Sequence, residues 1–167
     1  MKLWKILNRL QKLHPKEIDL SLNRIQNLCK KLGNPQDKIK AISVVGTNGK
    51  NSTINAIFSI LKEANLKCNV YSSPHILKIN ERFIFNNEEL SDEELANLFE
   101  EVESINDNKP ITFFEILTGC YFYNVRTCVN ITFNISLFQN RKDCIYCTVL
   151  TISANYRNSF NFILRVT

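Results

Sequence analysis

No apolar run in this chain of 167 residues approaches the ~20 that a membrane-spanning helix needs. The start, Met1-Lys2-Leu3-Trp4-Lys5, alternates basic and apolar and lacks a signal-peptide core, so a cytoplasmic location is expected. Histidine is scarce. Neither His14 nor His75 stands at a finger-like spacing from the cysteines, and Cys144-Ile145-Tyr146-Cys147 has no second ligand pair. The six cysteines therefore read as free thiols of a reducing compartment. Glycine and proline number four each, and all eight precede Tyr121. A focused basic patch is missing too. Residues 1–123 carry 16 basic and 15 acidic side chains, and residues 124–167 carry five and one, spread along the tail and not gathered into a patch with interleaved aromatics. Nucleic acid is not an expected partner.

What is present is a 44% hydrophobic chain of a size for one domain. Its organising stretch is Ser43-Val44-Val45-Gly46-Thr47-Asn48-Gly49-Lys50-Asn51-Ser52-Thr53. The apolar run Ala41 to Val45 predicts a buried strand. Ile54, Ile57, Phe58 and Leu61 predict one face of a helix behind it. Strand, glycine loop and helix is the geometry that cradles phosphate. Glycines let backbone N–H groups approach the oxygens, and the helix N-terminus adds positive dipole. Lys50 is placed to reach terminal phosphates, and Ser52 or Thr53 to offer a hydroxyl. The pattern departs from Gly-x4-Gly-Lys-Ser/Thr at Val44 and Asn51, and a solvated Asn-Gly turn is the bland alternative.

Around the loop, residues 3–13 and Leu20 to Leu32 predict helices, the second stopped by Gly33-Asn34-Pro35. Lys67 to Tyr71 predicts a strand broken by Ser72-Ser73-Pro74. A strand–helix–strand unit puts both this break and the glycine loop at strand C-terminal ends, where open α/β sheets bind ligands. Ser73 is then either a polar turn residue or a neighbour of the phosphates. Ile79 to Phe85 reads as a strand pair or extended loop turning at Asn86-Asn87. Ser91-Asp92-Glu93-Glu94 is a capping box ahead of a helix through Leu95, Leu98, Phe99 and Val102. Thr112-Phe113-Phe114-Glu115 has the same spacing and heads a helix through Ile116, Leu117 and Cys120.

The loop resembles that of the Mur ligase superfamily. It is most similar to the folylpolyglutamate synthase / dihydrofolate synthase family, which reads Gly-Thr-Asn-Gly-Lys-Gly-Ser-Thr. Tyr71-Ser72-Ser73-Pro74-His75, Asn80-Glu81-Arg82 and Ile111 to Thr118 are similar to further segments of that family, in order and spacing. The resemblance covers roughly residues 1–123. It implies an α/β fold, a P-loop nucleotide-binding domain with a central parallel sheet. It also implies a monomeric ATP-dependent ligase that joins L-glutamate to folate or dihydropteroate, with ATP and Mg2+ as cofactors. ATP would phosphorylate a substrate carboxylate, and the amine of glutamate would displace the phosphate. By the resemblance, Thr47, Asn48, Gly49, Lys50 and Ser52 hold the triphosphate, and Lys50 also acts in catalysis. Ser73 is implied as a magnesium ligand, and Thr112, Phe113, Phe114 and Glu115 as the folate site.

Residues 124–167 differ in kind. They contain no Gly, Pro or Glu, but seven Asn and three Cys. Val129 to Phe133 and Asn158 to Val166 read as strand-like runs without the turn residues to fold them back. The family's glutamate-ended strand and Arg-x-Asp-Ala-Thr-Asn segment have no counterpart, and Asn51 stands where the family has glycine. The expectation is an incomplete domain over 1–123, a divergent tail over 124–167 read from a shifted frame, and no second domain. Ligase turnover is not expected. A nucleotide-binding module or an inert fragment is the alternative.

Overall fold

The computed structural model describes residues 2–13, 21–38, 40–45, 48–127, 132–134, 148–153 and 162–165. The helices among them are α1 (Lys2–Lys12), α2 (Asn23–Lys31), α3 (Lys50–Glu63), α4 (Asp92–Asn106) and α5 (Phe113–Thr127). The strands are β1 (Lys40–Val45), β2 (Lys67–Tyr71), β3 (Phe83–Phe85), β4 (Glu88–Glu89), β5 (Thr132–Asn134), β6 (Thr148–Ser153) and β7 (Phe162–Arg165). They fall into two compact units, Met1–Lys38 with Leu90–Thr127, and Ile39–Glu89 with Cys128–Thr167.

The first unit is helical. Leu3, Ile6 and Leu10 form the buried stripe of α1. The same helix sends Arg9 to Glu103 of α4, with Nε donating to the carboxylate at 2.7 and 3.0 Å. Glu103 is buried, so an ionic partner offsets the cost of taking its charge out of water. The predicted stop after α2 holds. Gly33 (φ 83°) and Asn34 (φ 51°) turn left-handed, and the Asn34 N–H donates back to the Cys29 carbonyl at 2.8 Å. The Ser91 box forms as read, with Ser91 Oγ accepting from the Glu94 N–H and the Glu94 carboxylate accepting from the Ser91 N–H. At the other end of α4, the Lys31 ammonium donates to the carbonyls of Ile105 and Asn106. In α5, a Cβ on Gly119 would come within 2.5 Å of Leu28 Cδ2, so glycine sets how closely α5 meets α2.

The second unit is a sheet in the order β4-β3-β2-β6-β5-β1-β7, with β6 also pairing β1. The predicted α/β class holds, and β2 matches its predicted range. The sheet, however, is mixed where a central parallel one was expected. β1 pairs in parallel with β5 and β7, while β6 runs antiparallel to both β1 and β2. β1 and β2 thus remain parallel to each other, with an antiparallel strand between them. Parallel neighbours need a crossover helix, and the described residues after Thr127 form strands alone. Asn86 (φ 53°) and Asn87 (φ 74°) make the β3–β4 turn. Their left-handed conformations suit a two-residue hairpin. Residues 79–82, predicted as extended, form a 3₁₀ turn before β3. The helix expected through Cys120 continues past Tyr123 to Thr127. Parts of both strand-like runs of the tail are strands, and β6 is one that periodicity did not mark. Cys144 and Cys147 lie outside the described residues. Cys29, Cys68 and Cys120 are free and buried, and burial pushes the thiols of Cys29 and Cys68 up to about 11.

Candidate functional site

β1 delivers the chain to the glycine loop. Gly46 and the expected phosphate contact Thr47 lie outside the described residues. Asn48 is exposed, and Gly49 takes a left-handed conformation (φ 76°, ψ −1°) that a side chain would strain. The Gly49 carbonyl then accepts from the Thr53 N–H at 2.9 Å, and α3 begins at Lys50. No acidic residue stands in the first turn of α3, so its positive end is not neutralised by its own side chains. Lys50 is buried and Ser52 exposed. Asn51 has no positive φ and sits within α3, so the family's glycine is not needed here for backbone freedom.

The sheet register brings a second stretch to this end. Val149 of β6 pairs with Ser43 of β1 on one side and with Tyr71 of β2 on the other. β1 runs on to Val45, and β2, parallel to it, ends at Tyr71 two residues before Ser73. The glycine loop and the Ser72-Ser73-Pro74 break therefore leave the same edge of the sheet, as the strand–helix–strand reading expected. Ser73 is 1% exposed and joined to Pro74 by a cis peptide. Behind it, Ser72 N–H donates to the Arg82 carbonyl at 3.1 Å, and Arg82 Nε donates to His75 Nδ1 at 2.8 Å. Burial, with the Arg82 guanidinium beside it, pushes the His75 imidazole below its ordinary value.

Among the described residues no three His, Cys, Asp or Glu side chains gather into a metal cluster. Ser73 and Ser52 are neutral oxygen donors at the loop end of the sheet. That set fits Mg2+, which keeps waters and takes most of its negative ligands from nucleotide phosphates.

The expected folate stretch belongs to the helical unit. Thr112 and Glu115 form the capping box that their spacing predicts. The Thr112 N–H donates to the Glu115 carboxylate at 2.9 Å, and the Glu115 N–H donates to Thr112 Oγ1 at 3.1 Å. Glu115 has another partner that spacing did not reveal, since Arg24 Nε donates to its Oε2 at 3.0 Å. Phe113 and Phe114 are half-buried. Lys50, Ser52 and Ser73 thus follow the C-terminal ends of β1 and β2, and Thr112 to Glu115 belong to the other unit.

No family model matches the chain. It is 40% identical to the dihydrofolate synthase/folylpolyglutamate synthase of Bacillus subtilis over 107 residues, 60% of this chain and 25% of that protein. The Escherichia coli protein of the same name is 38% identical over 109 residues, covering 65% and 26%. Among solved structures, the folylpolyglutamate synthetase from Lactobacillus casei superposes with a TM-score of 0.68 and 30% identity, over 77% of this chain and 34% of that one. An FPGS–AMPPCP–folate complex gives a TM-score of 0.70 at 29% identity, over 77% and 33%. The E. coli FolC complex with DHPP and ADP gives 0.67 at 34%, over 75% and 30%. The chain spans about a quarter of the length of the curated relatives it matches. Over that matched stretch it is similar to part of the dihydrofolate synthase/folylpolyglutamate synthase proteins.

Proposed function

We propose that this chain carries the ATP-holding part of a ligase that joins L-glutamate to folate or dihydropteroate. One observation carries the reading. A left-handed Gly49 opens α3 at Lys50, on the sheet edge that also bears Ser73. Relatives of known structure bind AMPPCP or ADP, and one also folate, which supports nucleotide and folate as the ligand classes. Thr47, Asn48, Gly49, Lys50 and Ser52 hold the triphosphate by backbone N–H groups, ammonium and hydroxyl. Lys50 neutralises charge that grows on the transferred phosphoryl group as it passes to a substrate carboxylate. Ser73 holds Mg2+, which supplies further neutralisation of phosphate charge when bound. Thr112 to Glu115 bind the flat heterocycle of the folate, with Phe113 and Phe114 as apolar walls. The protein works in the cytoplasm as a monomer.

A second reading, nucleotide binding without ligation, is favoured by one feature of the sequence. The family's second metal-binding glutamate and its Arg-x-Asp-Ala-Thr-Asn segment have no counterpart, so this chain is expected to show no ligase turnover. Two assays test the pair. Lys50→Ala removes a charge-assisted contact worth about 1.5–3 kcal/mol, so ATP affinity falls on the order of tenfold or more. Equal affinity in variant and parent refutes the phosphate loop. Incorporation of labelled glutamate into folate by the parent, lost in Lys50→Ala, refutes the non-ligating reading.

A further inference from the structure

The chain leaves β2 at Tyr71 and re-enters the sheet at Phe83, its antiparallel partner. Residues 72–82 make the return, and Ser73 lies at its start. Apolar burial does not hold the tip of this loop. Ile76 and Leu77 are 86% and 88% exposed, and Pro74 and Lys78 are exposed as well. The tip's Lys78 ammonium pairs with Glu89, and its backbone is gathered by the Glu81 carboxylate. Glu81 Oε2 accepts from the Ile76 N–H at 2.8 Å, and Oε1 accepts from the N–H groups of Leu77 and Lys78, both at 2.9 Å. The Glu81 N–H in turn donates to the Lys78 carbonyl at 3.2 Å, and its carbonyl accepts from Ser72 Oγ at 3.3 Å. Hydrogen bonds to an ionised carboxylate are roughly twice as strong as neutral ones. They hold the Glu81 carboxyl below the usual range, with the Ile76 N–H contributing most. Glu81 thus ties the outgoing arm of the loop to its returning arm at the tip, as Arg82 does nearer the base through His75.

We infer that Glu81 is a positioning residue for the nucleotide site: its carboxylate fixes residues 76–78 and thereby holds Ser73 where a magnesium-bound phosphate meets it. This rests on the proposed ATP-binding role of the loop. Because the three N–H donors are near solvent, losing their acceptor leaves them to water and does not unfold the sheet. The loop alone loosens, and with it the hydroxyl at its base.

The test uses the full chain and AMPPCP, titrated once with Mg2+ and once in EDTA. Amide exchange at Ile76, Leu77 and Lys78 is followed in parallel. The parent binds more tightly with Mg2+. Glu81→Ala loses roughly tenfold of that gain, the range for groups that orient a metal ligand without touching the metal. Its affinity in EDTA stays at the parent's value, the variant remains folded with no more than a small fall in unfolding midpoint, and the three amides exchange faster. Glu81→Gln keeps one carbonyl oxygen as acceptor and recovers part of the gain. A full magnesium gain in Glu81→Ala overturns the role of Glu81 and leaves the phosphate loop standing. So do equal losses with and without Mg2+, or unchanged exchange. A parent that binds no nucleotide under either condition overturns the phosphate loop itself, and this inference with it.

Discussion

Glu115 has two candidate roles, and its surroundings allow them to be separated. Its carboxylate accepts from the Thr112 N–H and from Arg24, and the side chains of Arg24 and Glu115 are only 15% and 14% exposed. Exposed ion pairs contribute about 0–1 kcal/mol, and breaking a fully buried one costs about 3–5 kcal/mol. At this exposure the pair lies nearer the buried limit. Glu115→Gln keeps an oxygen for the cap and loses only the charge, so its cost is about 2–3 kcal/mol. That corresponds to a fall of roughly 4–12 °C in Tm. Thr112→Ala removes the hydroxyl that accepts from the Glu115 N–H, for about 1 kcal/mol. Arg24→Met leaves Glu115 half-buried without its cation, and Arg24→Met with Glu115→Gln removes the charge from both partners. The double variant should recover much of the loss, with a coupling of about 0.5–3 kcal/mol. Urea or thermal unfolding followed by circular dichroism reads all four. Unfolding of Glu115→Gln at the parent's midpoint, or strict additivity of the two changes, refutes a structural ion pair. The stable double variant then tests the substrate role. Folate affinity that returns with stability makes Glu115 a cap and ion-pair partner only, and affinity that stays low puts its carboxylate on the ligand.

Gly119→Ala gains about 1 kcal/mol of helix propensity but forces a methyl against the buried Leu28 side chain, an overpacking cost of about 1–3 kcal/mol. The sum is destabilising, and a raised unfolding midpoint contradicts the close contact of α5 with α2. The loop of residues 72–82 should depend on pH through Glu81. Its carboxyl titrates lower in the folded chain than in the unfolded one. Its stabilisation is therefore complete above the ordinary glutamate range and is lost as pH falls through the lowered folded value. Amide exchange at Ile76 to Lys78, corrected for intrinsic rates, should speed up on acidification in the parent and stay flat in Glu81→Ala.

Local signals carried most of the helical unit. Both capping boxes form with the bonds that their spacing dictates, because donor and acceptor lie three residues apart. The stop at Gly33-Asn34 and the turn at Asn86-Asn87 were legible for the same reason, since left-handed backbone there needs glycine or asparagine. The errors lie where partners are distant in sequence. Arg24 and Glu115 are 91 residues apart, and Arg9 and Glu103 are 94 apart. Nothing in a local window pairs them. The 3₁₀ turn at Ile79–Arg82 was missed because a side chain, Glu81, helps to build it. β6 was missed because insertion between β1 and β2 is set by pairing across the whole sheet.

The register also decides how Ser73 should be read. Alone, a serine before proline fits any polar turn. Once Ser43 and Tyr71 share Val149 as partner, Ser73 must stand on the edge that carries the glycine loop. The same pairing gives residues 128–167 a part in the site. Every described ladder of β1 is made with β5, β6 or β7, and all three follow Thr127. β2 keeps β3 without them, but β1, the strand that aims the phosphate loop, keeps no ladder partner. Compositionally the tail looks foreign to the rest of the chain, yet it supplies the backbone on both sides of β1. Truncation after Thr127 should therefore leave α1, α2, α4 and α5 helical, because their core lies within their own unit, and abolish nucleotide binding. Far-ultraviolet circular dichroism and AMPPCP titration on residues 1–127 measure both. Binding equal to that of the full chain would show that β1 and its loop hold their geometry without the tail, and that the strand pairing above is not what positions Lys50.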